Sequence, residues 1–473
     1  MHYQEARRPQ IHFTPQENWM NDPNGLVYFD GEYHLFYQHN PNGNNHADMH
    51  WGHAVSTDLY HWEELDIALA PDHLGTIFSG SAVADTHNTS GLFQQASGGL
   101  VAIFTHDQEG HQQQSIAYSE DKGRTWTKYE GNPVIPNTEL QDFRDPKVAW
   151  HEESEQWVMV LACGDHVQFF GSLNLIDWKH LSSFGREYPS DDGVWECPDL
   201  IKLPVEGTNE KEWVLIVSIN PGGPNGGSAV YYFTGTFDGQ IFHPNEAASN
   251  ALKWADEGRD FYASITWDNT EDTYWIGWMN NWNYAKTAPV SPWRSAMSLV
   301  RKITLQRHQD NYLLKQEPVI SVGPVRAEKN SALTISAGES QSYDVTPYGS
   351  AEFCLEHPSE QWGFQLVSDQ NEVFRLEINQ DDDSYTFYRT EGQSDFSQDF
   401  ASEITGALHG LKLEQISAIW DNCSLEFFAN DGVVVSTNLM FPYGKIHAIE
   451  LYSVKTELVV SQLTINEFPS IWK

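Results

Sequence analysis

Ser56-Thr57-Asp58-Leu59-Tyr60-His61-Trp62 decides the fold, because the pattern returns. Ser119-Glu120-Asp121 runs on to Trp126, Ser172-Leu173-Asn174 to Trp178, and a looser copy, Thr236-Phe237-Asp238, to Phe242, at intervals of 63, 53 and 64 residues. A strand-like run precedes each copy: Tyr33-His34-Leu35-Phe36-Tyr37, Leu100-Val101-Ala102-Ile103-Phe104, Trp157-Val158-Met159-Val160-Leu161 and Trp213-Val214-Leu215-Ile216-Val217. One unit of about four strands cannot bury both of its faces, whereas several stacked around an axis can. A fifth unit, Tyr262 to Leu305 with Trp275-Ile276-Gly277-Trp278, lacks the Ser-x-Asp element. The spacing predicts a five-bladed β-propeller over residues 1–305. In such a fold the innermost strands converge on one channel, so residues hundreds of positions apart face a common pocket.

Downstream the pattern changes. Residues 306–330, with Pro318 and Pro324, read as a linker. Residues 331–473 show short alternating strands, such as Ala351-Glu352-Phe353-Cys354-Leu355 and Ser424-Leu425-Glu426-Phe427-Phe428, and a turn at Asn430-Asp431-Gly432. That pattern predicts a C-terminal β-sandwich. The expected fold class is therefore all-β, a five-bladed β-propeller followed by a β-sandwich. The second domain reads equally as a sugar-binding, a dimerising or a packing unit, which leaves monomer and homodimer both open.

The chain carries 66 acidic residues against 27 basic ones, a formal net charge of -39. Nucleic acid and anionic membrane both require a basic face, so neither is an expected partner and a neutral substrate is. The four cysteines, Cys163, Cys197, Cys354 and Cys423, form no zinc spacing, and no metal or cofactor is expected. Spacing does not tell whether Cys354 and Cys423 pair. Met1 to Arg8 contains no apolar targeting segment and no stretch approaches a membrane span, which predicts a cytoplasmic location for the chain as it stands, or a secreted one if a leader has been trimmed from it. Pro221-Gly222-Gly223-Pro224-Asn225-Gly226-Gly227 lacks the Gly-Lys-Ser/Thr of a phosphate loop and reads as a blade loop. Asp381-Asp382-Asp383 lacks the ligand spacing of a calcium loop and reads as a hairpin tip.

Chemistry points to three stretches: Trp19-Met20-Asn21-Asp22-Pro23-Asn24-Gly25, Phe143-Arg144-Asp145-Pro146 and Trp195-Glu196-Cys197-Pro198-Asp199. Each sets a carboxylate early in the first, third or fourth unit, where inner strands are expected. Cleaving a glycosidic bond requires one carboxyl to protonate the leaving oxygen and another to attack or to activate water. Glu196, between Trp195 and Cys197, has the apolar neighbours that disfavour a charged form and suit a proton donor. Asp22, flanked by Asn21 and Asn24 in a polar turn, has the donors that suit a nucleophile. Asp145 follows Arg144, whose positive charge is expected to keep it anionic. Singly, these stretches also read as a turn, a surface ion pair and a buried, paired Glu. Their joint occurrence selects the catalytic reading.

With these motifs the chain resembles the glycoside hydrolase family 32 enzymes: invertases, exo-inulinases, levanases and related β-fructosidases. The family's Asn-Asp-Pro-Asn-Gly, Arg-Asp-Pro and Glu-Cys motifs stand at Asn21 to Gly25, Arg144 to Pro146 and Glu196 to Cys197. Secondary signatures agree at Trp51-Gly52-His53, Phe78-Ser79-Gly80-Ser81, Asp260-Phe261-Tyr262-Ala263 and Pro292-Trp293-Arg294. The resemblance implies a retaining β-fructofuranosidase acting on sucrose, fructo-oligosaccharides or fructans. By the same resemblance Asp22 is the nucleophile, Glu196 the acid/base and Asp145 the transition-state stabiliser, with Asn21, Gln38, Trp51, Phe78, Ser79, Arg144 and Trp282 in the sugar pocket. Trp51, Phe78 and Trp282 read equally as core residues, and Gln38 as a strand-end amide. One departure stands in Gly43-Asn44-Asn45-His46-Ala47-Asp48, where family members commonly carry a tryptophan. A fructosyltransferase, an arabinan- or xylan-type furanosidase and a non-catalytic fructan-binding protein are the alternative readings.

Overall fold

The innermost strands of five successive antiparallel sheets are Asn18–Phe29, Thr76–Asp85, Phe143–His151, Val194–Pro204 and Tyr262–Thr266. Each packs against the next, and the last against the first, which closes a five-bladed propeller. The computed structural model describes residues 3–95, 97–137, 139–188, 193–245, 252–309, 311–330, 332–389 and 396–472. Hydrogen bonds between the first and fifth blades close the ring: Asn18 and Trp19 pair with Trp293 and Arg294, and the Tyr28 and Asp268 amides donate to the Asp268 and Leu26 carbonyls at 3.0 Å. Middle strands such as Gly99–Gln108 are buried along most of their length, because neighbouring blades cover both faces.

The sequence repeat has a local cause. Each copy is the turn between a blade's third and fourth strands, where side chains replace missing main-chain partners. Ser56 Oγ accepts from the Asp58 and Leu59 amides, and Asp58 Oδ1 from the Tyr60 and His61 amides. Ser119 with Asp121, and Ser172 with Asn174, repeat the arrangement. Asp238 keeps only the second half, accepting from Gln240 and Ile241. The closing Trp126 and Trp178 anchor the turn by donating to the Gly123 and Leu175 carbonyls.

The linker expected over 306–330 is corrected. Arg301–His308 and Asn311–Pro318 pair as the outer strands of the fifth blade, and Arg326–Asn330 pairs with the last strand of the sandwich, Leu458–Glu467. Gln306 to His308 and Asn311 belong to the paired outer strands, so only residues 319–325 lie between the domains' strands. The second domain stacks a seven-stranded and a six-stranded sheet over a core that includes Phe353, Trp362, Phe364 and Trp420. Cys354 and Cys423 are unbridged.

A buried charge network locks the two domains. Arg301 of the propeller donates to Asp256 at 3.0 Å and to Glu426 of the sandwich at 2.7 Å. His12 lies between Asp421 and Glu426, 2.9 Å from each. Burial opposes a charged His12, but the two carboxylates outweigh it and push its pKa up to about 9. Burial likewise opposes ionised Glu426, yet Arg301 and His12 hold it at about 2.

Candidate active site

All five inner strands are bulged at the same level. Pairing with the second strand slips between Met20 and Pro23, Ile77 and Gly80, Arg144 and Lys147, Glu196 and Asp199, and Tyr262 and Ile265. A bulge kinks its strand and re-aims the side chain beside it, here toward the channel. Pro146 and Pro198 occupy the slipped segments, where a missing N–H costs no ladder bond, and Pro23 ends the first slip, opposite Tyr37. Asp145, Cys197 and Ala263 share the left-handed region with φ of 65°, 44° and 52°. The turn expected at Asn21 to Gly25 is thus a bulged segment inside the strand Asn18–Phe29.

Those bulges gather the three carboxylates. Asp22 receives a hydrogen bond from Ser79 Oγ at 2.6 Å on one oxygen and from Asn21 Nδ2 at 2.9 Å on the other. Asn21 is itself held by Trp19 Nε1 at 2.7 Å. Asn24 does not serve Asp22 as expected; it accepts from Gln38 Nε2 at 2.8 Å. Asp145 Oδ2 accepts the Cys197 amide at 3.0 Å, and the Cys197 thiol lies 3.5 Å from Asp22 Oδ2 and 3.6 Å from Asp145 Oδ2. Burial and the surrounding anions raise the pKa of that thiol far above the ordinary range, so it stays protonated between the two carboxylates.

The charge assignments differ from the sequence expectation. Arg144 aims at Glu196, 3.0 Å from Oε1, and at Asp142, while its nearest approach to Asp145 is 3.9 Å. Asp145 is not kept anionic. Burial, reinforced by Glu196 and Asp22, pushes its pKa up to about 7 against the pull of Arg144 and the Cys197 amide. Glu196 is not in an apolar niche either, because Trp195 turns away into the core and the carboxylate meets Arg144 and the Tyr262 hydroxyl.

The expected pocket residues separate into rim and scaffold. Ser79 touches Asp22 directly. Phe78 and Trp282 are half-buried at the rim, where His46 packs edge-on against them at 5.9 and 5.4 Å, and Trp282 stacks on Trp19 at 5.9 Å. Gln38 is scaffold for Asn24, and Trp51 is fully buried, donating to the Phe78 carbonyl at 2.9 Å. Lys147 and Asp199 pair at 3.5 Å, and both hydrogen-bond Thr266.

Tyr262, Cys197 and His46 stand in stretches the sequence marks, but no place in the pocket was expected of them. Tyr262 opens the fifth inner strand, so the positional rule that selects Asp22, Asp145 and Glu196 also marks it. His46 stands in the loop where family members commonly carry a tryptophan; burial, with Lys286 nearby, lowers its pKa. Among the described residues no group of three or more His, Cys, Asp and Glu side chains is placed to hold a metal ion.

A propeller that brings three carboxylates, an arginine and a tyrosine to one end of its channel defines a glycoside hydrolase. Residues 12–318 match the Glycosyl hydrolases family 32 N-terminal domain and residues 320–467 the Glycosyl hydrolases family 32 C terminal. The chain belongs to glycosyl hydrolase family 32. It is 45% identical to a levanase of Bacillus subtilis, over all of this chain and 72% of that protein. It is 36% identical to an invertase of Schizosaccharomyces pombe, over all of this chain and 87% of that one. The crystal structure of an exo-inulinase from Aspergillus awamori superimposes with a TM-score of 0.92 over the full length of both chains at 35% identity.

Proposed function

We propose that the protein is a retaining β-fructofuranosidase that releases terminal, non-reducing fructosyl residues from sucrose and from fructans. The observation that carries this reading is the gathering of Asp22, Asp145 and Glu196 around Cys197, with donors already on both oxygens of Asp22. Names of relatives, levanase and invertase among them, support the fructosyl specificity. Asp22, oriented by Ser79 and Asn21, attacks the anomeric carbon while Glu196 protonates the leaving oxygen. Arg144 stabilises the carboxylate that Glu196 becomes, and the same carboxylate then takes a proton from the water that frees fructose. Asp145 lies against the reacting ring, where its anionic form stabilises positive charge and its protonated form grips a hydroxyl.

The test is a time course of products from sucrose, short inulin oligomers and levan, with the anomer of newly released fructose followed by NMR. Release of β-fructofuranose by wild type and not by Asp22→Ala is the expected result. Release of the opposite anomer, or no fructose from any of the three, overturns the reading.

A further inference from the structure

The glycine-rich loop Pro221-Gly222-Gly223-Pro224-Asn225-Gly226-Gly227 joins the second and third strands of the fourth blade, Lys211–Asn220 and Ala229–Phe237. It closes on itself, the Gly223 amide donating to the Gly227 carbonyl at 3.0 Å and the Gly226 amide to the Gly223 carbonyl at 2.9 Å, so a shift of its tip reaches its base. At the base the loop rests on the aromatic wall of the pocket. The Trp282 amide donates to Ser228 Oγ at 3.1 Å, and Ser228 Oγ donates to Asn220 Oδ1 at 3.2 Å. Asn281, fully buried, donates from Nδ2 to the Arg259 carbonyl at 2.9 Å and to the Gly226 carbonyl at 3.3 Å. Gly227 has a φ of 73°, and a Cβ there would come within 2.2 Å of Asn281 Oδ1, so only glycine lets the loop approach the Asn281-Trp282 segment this closely.

At its tip the same loop reaches the sandwich. Asn225 Nδ2 donates to the Thr405 carbonyl at 3.0 Å, and the Thr405 amide donates to Asn225 Oδ1 at 3.0 Å. Thr405 belongs to Glu403–Ala407, the edge strand of the six-stranded sheet. A carboxamide carries the donor and the acceptor of a peptide group, so one side chain pairs this edge as a neighbouring strand would. Nδ2 also donates to the Glu257 carbonyl of the propeller at 2.9 Å. Glu257 is fixed in turn: its amide donates to the Val435 carbonyl at 3.1 Å, one carboxylate oxygen lies 2.9 Å from His409 Nε2, and the other accepts the Ala407 amide. Asn225 therefore ties into a seam held from both domains, at one end of a short hydrogen-bonded path whose other end is Trp282.

From this path we infer that Asn225 is a positioning residue for sugar binding, through which the edge strand of the sandwich sets where Trp282 stands in the pocket. The inference rests on the fructosidase reading, so its test includes a measurement that needs no turnover. A contact that only stabilised the fold would lower the unfolding temperature and leave KM alone well below it. Asn225→Ala, Asn225→Gln, Trp282→Ala and the double variant Asn225→Ala/Trp282→Ala are compared with wild type for kcat and KM on sucrose, well below their unfolding temperatures. Amide hydrogen exchange over residues 278–285 is followed by mass spectrometry in wild type and Asn225→Ala.

In Asn225→Ala, KM is expected to rise about five-fold with kcat within about two-fold of wild type. Asn225→Gln keeps the carboxamide and is expected to recover part of that loss. In the Trp282→Ala background Asn225→Ala is expected to add nothing, because the two residues act along one path. Exchange at residues 281–285 is expected to quicken about five-fold in Asn225→Ala. An unchanged KM in Asn225→Ala overturns the inference, as does the same rise with and without Trp282, or unchanged exchange. If wild type releases no fructose from sucrose, it is the fructosidase reading that fails, and the exchange measurement alone then decides whether Asn225 holds the wall.

Discussion

Replacing Asp145 by Asn is expected to stabilise the protein and disable it at once. Its carboxyl ionises near 7 in the folded chain against an ordinary 3.8, chiefly because it is buried and then because Glu196 and Asp22 are close. Holding it as an anion therefore costs on the order of 4 kcal/mol at most. The folded state keeps a proton that the unfolded chain releases between these two values. The stabilisation from this group is thus fully present below 3.8 and is lost as pH rises through about 7. Asn carries no such loss and still offers an oxygen to the Cys197 amide. Thermal unfolding of wild type and Asp145→Asn from pH 4 to 8 should show the variant gaining on wild type as pH rises. A chain of this length gives roughly 1 °C per kcal/mol, so the gain approaches about 4 °C and levels off above pH 7. Activity on sucrose should fall by about 10²–10³-fold if the group stabilises charge in the transition state. A gap that is flat with pH, or that closes as pH rises, refutes the charge assignment.

Asp22→Ala and Glu196→Ala should each lower kcat by about 10³-fold or more, with circular dichroism unchanged, because each removes a group of the reaction and no main-chain partner. Arg144→Lys keeps the charge but loses the planar fork that reaches Glu196 and Asp142 together; kcat/KM should drop about 10–100-fold, measured on sucrose. His12→Gln leaves Asp421 and Glu426 buried with one fewer cation, a loss of about 3–5 kcal/mol in denaturant unfolding. Because His12 is raised to about 9, its contribution is fully present below 6.5 and is lost as pH rises through 9, so wild type should weaken from pH 7 to 10 more than the variant does. His46→Ala opens the rim between Phe78 and Trp282 and should raise KM for sucrose several-fold with little change in unfolding.

The propeller was legible because its signal is local. Ser56 with Asp58, and their repeats, bond amides only two or three residues away, so turn chemistry survives in sequence whatever the rest of the chain does. The positions of Asp22, Asp145 and Glu196 were legible because each stands early in a unit, where inner strands are expected; the bulges that aim them were not, and the segment Asn21 to Gly25 read as a turn. The fifth blade's outer hairpin was not, because solvent-edge strands and linkers have the same polar composition, and only pairing of Arg301–His308 with Asn311–Pro318 separates them.

Sequence by itself determined that this chain builds blades, that three carboxylates share the channel and which motifs carry them. The tertiary structure decided which charge meets which: Arg144 turns to Glu196 rather than to its neighbour Asp145, Tyr262 arrives from the fifth blade, and Asp145 keeps a proton near neutral pH. The physical reason is one of range. Turn bonds and bulges are set within a few residues, whereas burial and Coulomb interaction sum over groups from five blades that only ring closure brings within a few ångströms of each other.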